Sequence, residues 1–328
     1  MKKIGRALVI LLVTLSFTAL PAWAKDRWTA YTYASVASSS AVKGLNEAIA
    51  NIETETGGNF KINLNLGGTL HIKAANITQA VADGIVDIAS DLFYLGNVPI
   101  GGVLSLPMLI TTEDEWQKAF PVMEPYLKKA FEEQGLVYLG AYRYPEQTIF
   151  TNFELKSAKD LFGKKIRVTS PEQASLVEHF GGSAVTMGGA EVPQALQRGV
   201  VDGVLTASAG GAKKWHEFLE TNYRLPINYA SSVIIANRDA FERLSPDHQK
   251  ALVDAFASAG PKITDNFVID ERTQMEFQMS KGMNVIAADP ADVASAQKAM
   301  ETVWSNWAEG KGAEAKDALA AVRKAIGK

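Results

Sequence analysis

The stretch VPQALQRGVVDGVLT, residues 192–206, predicts a short amphipathic helix, a glycine that ends it, and a buried strand. A similar stretch, ITQAVADGIVDIASD, occupies residues 77–91. Matching positions are separated by a constant offset, since 194 − 79 and 202 − 87 both equal 115. The matched pairs are Gln79, Ala80, Gly84, Val86 and Asp87 with Gln194, Ala195, Gly199, Val201 and Asp202. The repetition predicts two related α/β halves, although a common α/β rhythm could produce it by chance.

Strands and helices alternate around both stretches. The segments with strand-like patterns are residues 27–33, 59–66, 135–144, 164–168 and 184–187. Helices are predicted between them, for example after Ser38–Ser40 and from Ser170-Pro171. The order is βαβαβ and begins again after Asn152, which is typical of parallel sheets covered by helices.

The last hundred residues are mainly helical. Ser245 and Pro246 begin a helix whose spacing persists to Gly282, and Gly260-Pro261 should kink it. A strand and helix are predicted over residues 229–244, and two terminal helices over 291–308 and 313–326.

The N-terminus has the form of a secretory signal peptide. MKKIGR is basic, ALVILLVTLSFTAL is apolar, and PAWA supplies small residues at Ala22 and Ala24. The apolar run is shorter than the roughly 20 residues of a spanning helix, which disfavours an uncleaved anchor. We expect cleavage after Ala24 and a periplasmic mature chain.

Composition excludes several classes of protein. Loss of Lys2, Lys3 and Arg6 changes the formal net charge from −3 to −6, a poor charge for binding nucleic acid. The chain has no cysteine, so disulfides and thiolate metal sites are excluded. A mature chain of about 300 residues favours two lobes.

Side chains at strand ends are the candidate binding residues, because ligands of such sheets lie beyond the carboxyl ends of the strands. Asp91 and Thr206 end the two repeated units and should face the gap between the lobes. Arg167 lies near the end of a predicted strand and could hold a carboxylate with two parallel hydrogen bonds. Aromatic residues that could line the gap are Tyr31, Tyr33, Phe93, Tyr94 and Trp215.

Sequence patterns of catalysis are missing. The four histidines have no metal-ligand spacing, and the chain contains no HExxH, G-x-S-x-G, P-loop or GxGxxG pattern. We therefore expect no enzyme, no metal and no cofactor. A secreted hydrolase with a dispersed triad stays open, because triads are recognised by geometry.

The central sequence resembles the periplasmic solute-binding proteins of tripartite ATP-independent periplasmic (TRAP) transporters, of the DctP type. The segments that carry the resemblance are KSAKDLFGKKIRV, GGSAVTMGGAEVPQALQRGVVDG, LGGTL, GIVDIA and LSLPML. The resemblance implies a two-lobed α/β fold with a long kinked helix linking the lobes. Lobe I would comprise residues 25–145 plus 231–270, and lobe II residues 146–230 plus 271–328.

The same resemblance implies how the protein works. It would capture a small organic anion and deliver it to small and large integral membrane subunits, with Arg167 matching the family's carboxylate-binding arginine. Gln147 lies nearest the place of a second basic residue of the family, and Thr206 stands where an asparagine is common. These departures favour a monocarboxylate or a small sulfonate over a dicarboxylate. A binding protein of an ATP-driven importer, or of a sensor, is the alternative.

Overall fold

The computed structural model describes residues 25–328; the predicted signal peptide and its cleavage site after Ala24 involve residues outside this range. The described residues form one mixed sheet of nine strands, covered by helices. The strands are β1 Asp26–Thr32, β2 Phe60–Asn65, β3 Ile88–Asp91, β4 Leu136–Thr151, β5 Lys165–Val168, β6 Ser183–Thr186, β7 Gly203–Thr206, β8 Thr221–Asn237 and β9 Asn284–Ala287. The α-helices are α1 Ser40–Glu55, α2 Ile77–Ala82, α3 Glu113–Glu132, α4 Pro171–His179, α5 Val192–Gln197, α6 Ala212–Trp215, α7 Arg238–Glu242, α8 Pro246–Ser280, α9 Pro290–Lys311 and α10 Ala313–Ile326.

The sheet consists of two parallel groups joined by two long antiparallel strands. Its order is β2-β1-β3-β8-β4-β7-β5-β6, and β9 pairs with β8. Strand β1 is parallel to β2 and β3, and β5 is parallel to β6 and β7. Strands β4 and β8 run antiparallel to each other and lie between the two groups. Strand β8 pairs with β3 of the first group, and β4 pairs with β7 of the second. This arrangement confirms the predicted α/β fold with two βαβαβ halves.

The two repeated units have the same structure. All four element bounds differ by the same offset, since 192 − 77 and 206 − 91 both equal 115. Each helix is followed by a glycine in the left-handed region, with φ of 69° at Gly84 and 65° at Gly199. The Asp87 carboxylate accepts the backbone N–H of Thr29 at 2.7 Å, and the Asp202 carboxylate accepts that of Lys165 at 2.8 Å. Each aspartate therefore ties its unit to the neighbouring parallel strand.

The two central strands are longer than the sequence patterns indicate. We predicted strands over 135–144 and from 229, but β4 continues to Thr151 and β8 begins at Thr221. The extra segments contain prolines, which cannot donate a ladder hydrogen bond. The structure accommodates Pro145 where the β4–β8 register shifts between Arg143 and Glu146.

Helix α8 is the long helix that the sequence predicts. The side chain of Ser245 caps its start by accepting the backbone N–H of His248 at 3.3 Å. The helix continues through Gly260 and Pro261, where we expected the kink. A Cβ at Gly260 would collide with the carbonyl oxygen of Ala141, so glycine allows α8 to pack closely on β4.

The terminal helices hold the chain end against the segment that precedes α3. Trp304 in α9 donates its indole N–H to the carbonyl of Pro107 at 2.8 Å, and the Lys328 ammonium donates to that of Leu109 at 2.7 Å. Helix α10 packs against α3 and α9, so it contacts the part of the chain that we assign to lobe I. Within residues 25–328, no helix has both the length and the apolar character needed to cross a membrane.

Candidate functional site

A cavity of about 70 Å³ lies at the carboxyl ends of β1, β3, β5 and β7. The residues after β1 and β3 form one wall, and β5, the loop after β7 and α6 form the other. This is the position that open α/β sheets use for ligands. The described residues that line it are Tyr33, Ala34, Ser35, Val36, Ser39, Leu92, Tyr144, Gln147, Arg167, Thr169, Gly189, Thr206, Ala209, Gly210, Gly211, Trp215 and Ala230.

Arg167 provides the only charge among these lining residues. Its side chain is 3% exposed, and its Nε and Nη1 donate to the carbonyls of Met187 at 3.0 Å and Leu205 at 3.3 Å. Within residues 25–328 its Nη2 donates no hydrogen bond, and no carboxylate forms an ion pair with the guanidinium. Burial lowers the pKa of Arg167 to about 10, so the group is still cationic at neutral pH. A buried cation without a carboxylate partner is a strong attractor for an anionic ligand.

Trp215 packs against the arginine side chain. The Arg167 guanidinium lies over the Trp215 ring, 5.3 Å from its centroid. A Cβ at Gly211 would collide with the same ring, so this glycine leaves the space that the indole occupies. Helix α8 holds the adjoining loop, because the Glu271 carboxylate accepts the backbone N–H of Ala209 at 2.8 Å.

Thr206 and Gln147 add one polar group each. The Thr206 hydroxyl accepts the backbone N–H of Gly211 at 3.0 Å, which leaves its own O–H free to donate. The Gln147 amide donates its N–H to the carbonyl of Pro145 at 2.8 Å, which leaves its carbonyl oxygen as an acceptor. Both residues are nearly inaccessible, at 4% and 3% exposure.

Tyr33 and Tyr144 supply the aromatic part of the wall, with ring centroids 6.1 Å apart. The buried Tyr33 hydroxyl has no partner at hydrogen-bonding geometry, although Tyr142 and Tyr144 act on its pKa. Burial raises the pKa of Tyr33 well above its ordinary value, and the two tyrosines raise it further. The phenol is therefore neutral and keeps its O–H proton beside the hydroxyls of Tyr142 and Tyr144.

The sequence analysis missed Thr169 and Tyr144. Thr169 directly follows β5, so the rule that led to Asp91 and Thr206 could have found it. Its hydroxyl donates to the Gln173 side chain at 2.8 Å, and Gln173 donates to Asn228 in β8 at 3.1 Å. Tyr144 lies at the end of a segment that was predicted as an ordinary strand, and no local pattern marks it as a site residue.

Phe93 and Asp91 lie outside this cavity. Phe93 lines an adjoining cavity of about 310 Å³, which shares Tyr33 and Gly189 with the first. Asp91 lines neither cavity; it is 1% exposed and accepts the Thr78 hydroxyl and the backbone N–H of Phe93, both at 2.7 Å. Burial raises the pKa of Asp91 to about 6. The sequence placed Asp91 at the gap, whereas the structure places it behind the wall.

Comparison with known proteins identifies the family. The sequence profile described as "Bacterial extracellular solute-binding protein, family 7" (DctP) matches residues 32–311. The chain belongs to this family. The match confirms the resemblance drawn from the central sequence, and members of this family are extracytoplasmic.

Individual relatives agree with this assignment. The 2,3-diketo-L-gulonate-binding periplasmic protein YiaO of Escherichia coli is 25% identical over 72% of this chain and 73% of its own. An extracytoplasmic solute receptor of Bordetella pertussis that binds pyroglutamic acid superposes with a TM-score of 0.85 at 27% identity, over 91% of this chain and 100% of its own. A TRAP periplasmic solute-binding protein of Sulfitobacter with bound β-D-galacturonate has a TM-score of 0.82 at 22% identity, over 91% and 100%.

The comparisons confirm the two-lobed fold of TRAP periplasmic binding proteins. The relatives are solute-binding proteins rather than enzymes, and they bind small organic acids. The alternatives of an ATP-driven importer, a sensor module or a secreted hydrolase are not favoured by any of them. Within residues 25–328, no group of three or more histidine, aspartate or glutamate side chains could hold a metal ion.

Proposed function

We propose that the protein captures a small organic monoanion in the periplasm and delivers it to the membrane subunits of a TRAP transporter. The observation that carries this proposal is Arg167, a buried cation that lines the cavity and has no carboxylate partner among the described residues. A ligand carboxylate would supply the missing counter-charge and could accept two parallel hydrogen bonds.

The charge and size of the cavity support a small monoanion. One cation and no acid line it, and the nearby Glu191 carboxylate already acts on Arg167, so the site suits one added negative charge better than two. A cavity of about 70 Å³ has room for roughly five to seven water-sized groups, because one water needs about 10–15 Å³ by this measure. A larger ligand would extend into the adjoining cavity of about 310 Å³, which shares Tyr33 and Gly189 with the first. A small sulfonate carries the same charge and is the second candidate.

Five of the sequence-predicted residues would contact the ligand. We assign the anion to Arg167, with Thr206 as a further donor, Tyr33 as part of the aromatic wall, Gln147 as an acceptor and Trp215 as the support of the guanidinium. Phe93 would contact only a ligand that extends into the adjoining cavity. We assign Asp91 to positioning the segment Leu92–Phe93, since Leu92 lines the cavity and Asp91 accepts the Phe93 N–H.

The remaining parts of the proposal concern export and delivery. The signal peptide would be cleaved after Ala24, and the mature protein would bind its ligand without turnover, cofactor or metal. Lobe I (25–145 plus 231–270) and lobe II (146–230 plus 271–328) would move about β4 and β8, the two strands that pass between the groups of the sheet. Closure would present a ligand-bound surface to the small and large membrane subunits.

A thermal-shift screen of residues 25–328 tests the proposal. A ligand that binds only the folded protein stabilises it by mass action and so raises its melting temperature. At a ligand concentration a hundredfold above Kd, the free energy of unfolding increases by about 2.7 kcal/mol. We expect small monocarboxylates or sulfonates to stabilise the protein, and Arg167→Ala to abolish the shift. Stabilisation by sugars or cationic amino acids, with every anion inactive, would refute the ligand class.

A further inference from the structure

We infer that Gln147 makes the site selective for acids that carry a hydrogen-bond donor, such as a lactam N–H or a hydroxyl, beside the carboxylate. This inference rests on the proposed function and narrows its ligand class. It would exclude dicarboxylates, and it would disfavour plain monocarboxylates that have no donor.

The orientation of the Gln147 amide is fixed by the fold. Its NH₂ group donates to the carbonyl oxygen of Pro145 at 2.8 Å. Pro145 lies where the β4–β8 register shifts, and it has no partner in the strand ladder. If the amide were reversed, two carbonyl oxygens would face each other at hydrogen-bonding distance, so the oxygen must be the atom left for the ligand.

Two further polar groups of the cavity favour an anion. Arg167 Nη2 and the Thr206 hydroxyl are donors without a committed acceptor, whereas the Tyr33 hydroxyl lies beside those of Tyr142 and Tyr144. A carboxylate has about four acceptor positions, so it has the capacity to accept from both. The Gln147 oxygen is a hydrogen-bond acceptor and would repel either carboxylate oxygen.

A bound ligand must therefore satisfy an acceptor as well as a cation. Gln147 is 3% exposed, and a ligand in the cavity excludes the water that would otherwise donate to its oxygen. A ligand without a donor would leave that oxygen buried and unpaired, which is costly. The acids that fit carry the donor on the part of the molecule that faces β4.

Matched pairs of ligands test the inference on the wild-type protein by calorimetry. One pair is pyroglutamate and its carbocyclic analogue, in which a methylene replaces the ring N–H; the other is lactate and propionate. Wherever at least one acid of a pair binds, we expect the acid with the hydrogen-bond donor to bind more tightly, by roughly fivefold to 150-fold. Equal affinity within a binding pair, or tighter binding of the donor-free acid, would overturn the inference and leave the organic-anion function intact. Failure of all four acids and of the wider anion screen would instead overturn the proposed function.

Variants locate the effect at Gln147. In Gln147→Met the donor-bearing and donor-free acids should bind within about threefold of each other, because the acceptor is gone. Gln147→Glu should weaken both acids, because a carboxylate repels the anion and cannot donate to Pro145. Gln117→Met, an exposed substitution on α3, is the matched control and should keep the wild-type preference. A preference that survives in a folded Gln147→Met protein would assign the selectivity to another residue.

Discussion

The two repeated units, residues 77–91 and 192–206, have the same backbone and different tasks. Each consists of a short helix, a left-handed glycine, a tethering aspartate and a buried strand. They differ at the end of the strand. Asp91 turns back to accept the N–H of Phe93 and leaves the cavity to Leu92, whereas Thr206 lines the cavity itself.

The neighbours of the two strands also differ. Strand β7 lies beside β5, whose Arg167 donates to the carbonyl of Leu205, so the charge of the site lies beside the second unit. Strand β3 lies between β1 and β8 and has no such neighbour. A repeated unit therefore specifies where a strand ends, while contacts outside the unit differ: the N–H of Phe93 holds Asp91, and Arg167 of β5 lies beside the strand that ends at Thr206.

The largest expected effect is the loss of the charge beside the second unit. Arg167→Ala would leave a bound anion underpaired and should cost about 2–5 kcal/mol, or roughly 30-fold to several thousand-fold in Kd. Arg167→Lys should recover only part, because an ammonium has no planar two-donor fork. Isothermal titration against an acid found in the thermal-shift screen measures both variants.

The matched control for Arg167 is Arg27→Ala. Arg27 is an exposed residue of β1, the strand that neighbours the first unit as β5 neighbours the second. Its removal should leave Kd unchanged. Binding by a folded Arg167→Ala protein within threefold of wild type would show that the anion is held elsewhere.

The second prediction concerns Asp91, the buried acid of the first unit. Burial raises its pKa to about 6, compared with about 3.9 in an unfolded chain. Between these values the folded state holds more protons than the unfolded state, so the free energy of unfolding falls as pH rises. The contribution is complete below about pH 4 and is lost through pH 6, by up to roughly 3 kcal/mol. Urea unfolding from pH 4 to pH 7.5 measures it.

Asp91→Asn should remove this pH dependence. An asparagine can accept the Phe93 N–H and donate to the Thr78 oxygen, so it replaces both contacts without a charge. The variant should be at least as stable as wild type at pH 7 and should keep its ligand affinity. A large loss of affinity would show that Asp91 contacts the ligand, as the sequence predicts.

The third prediction tests the equivalence of the two units. Asp87→Ala and Asp202→Ala each remove a carboxylate that accepts the N–H of a neighbouring strand. Each substitution should lower the free energy of unfolding by roughly 1.5 kcal/mol, as expected for a hydrogen bond to a charged group. Asparagine at either position keeps an acceptor and should cost less. Denaturant titrations measure both losses. If the two variants lose very unequal free energies of unfolding, the same backbone structure does not give the two hydrogen bonds the same stability.

Much of the fold could be predicted because its signals are local. The repeated helix–glycine–strand pattern and the caps at Ser39 and Ser245 follow from neighbouring residues. The length of β8 could not be predicted, because residues 221–228 contain Pro226 and polar side chains, and they become a strand only by pairing with β4. Its extent is decided by tertiary contacts.

The site was predictable where one residue type determines the chemistry. Arg167 could be identified because a cation near the buried end of a strand needs a counter-charge, and the structure places it at the cavity. The direction of the Asp91 side chain depends on the N–H of Phe93, which no sequence pattern reveals. Tyr144 enters the wall through an irregular part of β4, where the register shifts.

The smallest expected effect is at Thr206, the counterpart of Asp91. Thr206→Val keeps the shape of the side chain and removes one neutral hydrogen bond to the ligand, so Kd should rise by about twofold to twelvefold. The same change removes the acceptor of the Gly211 N–H, which would loosen the loop beneath Trp215. Thr206→Ser keeps both roles of the hydroxyl and loses only the methyl group, so it should bind within about twofold of wild type. If serine binds as poorly as valine, the hydroxyl alone does not account for the affinity, and the methyl group is needed at this position as well.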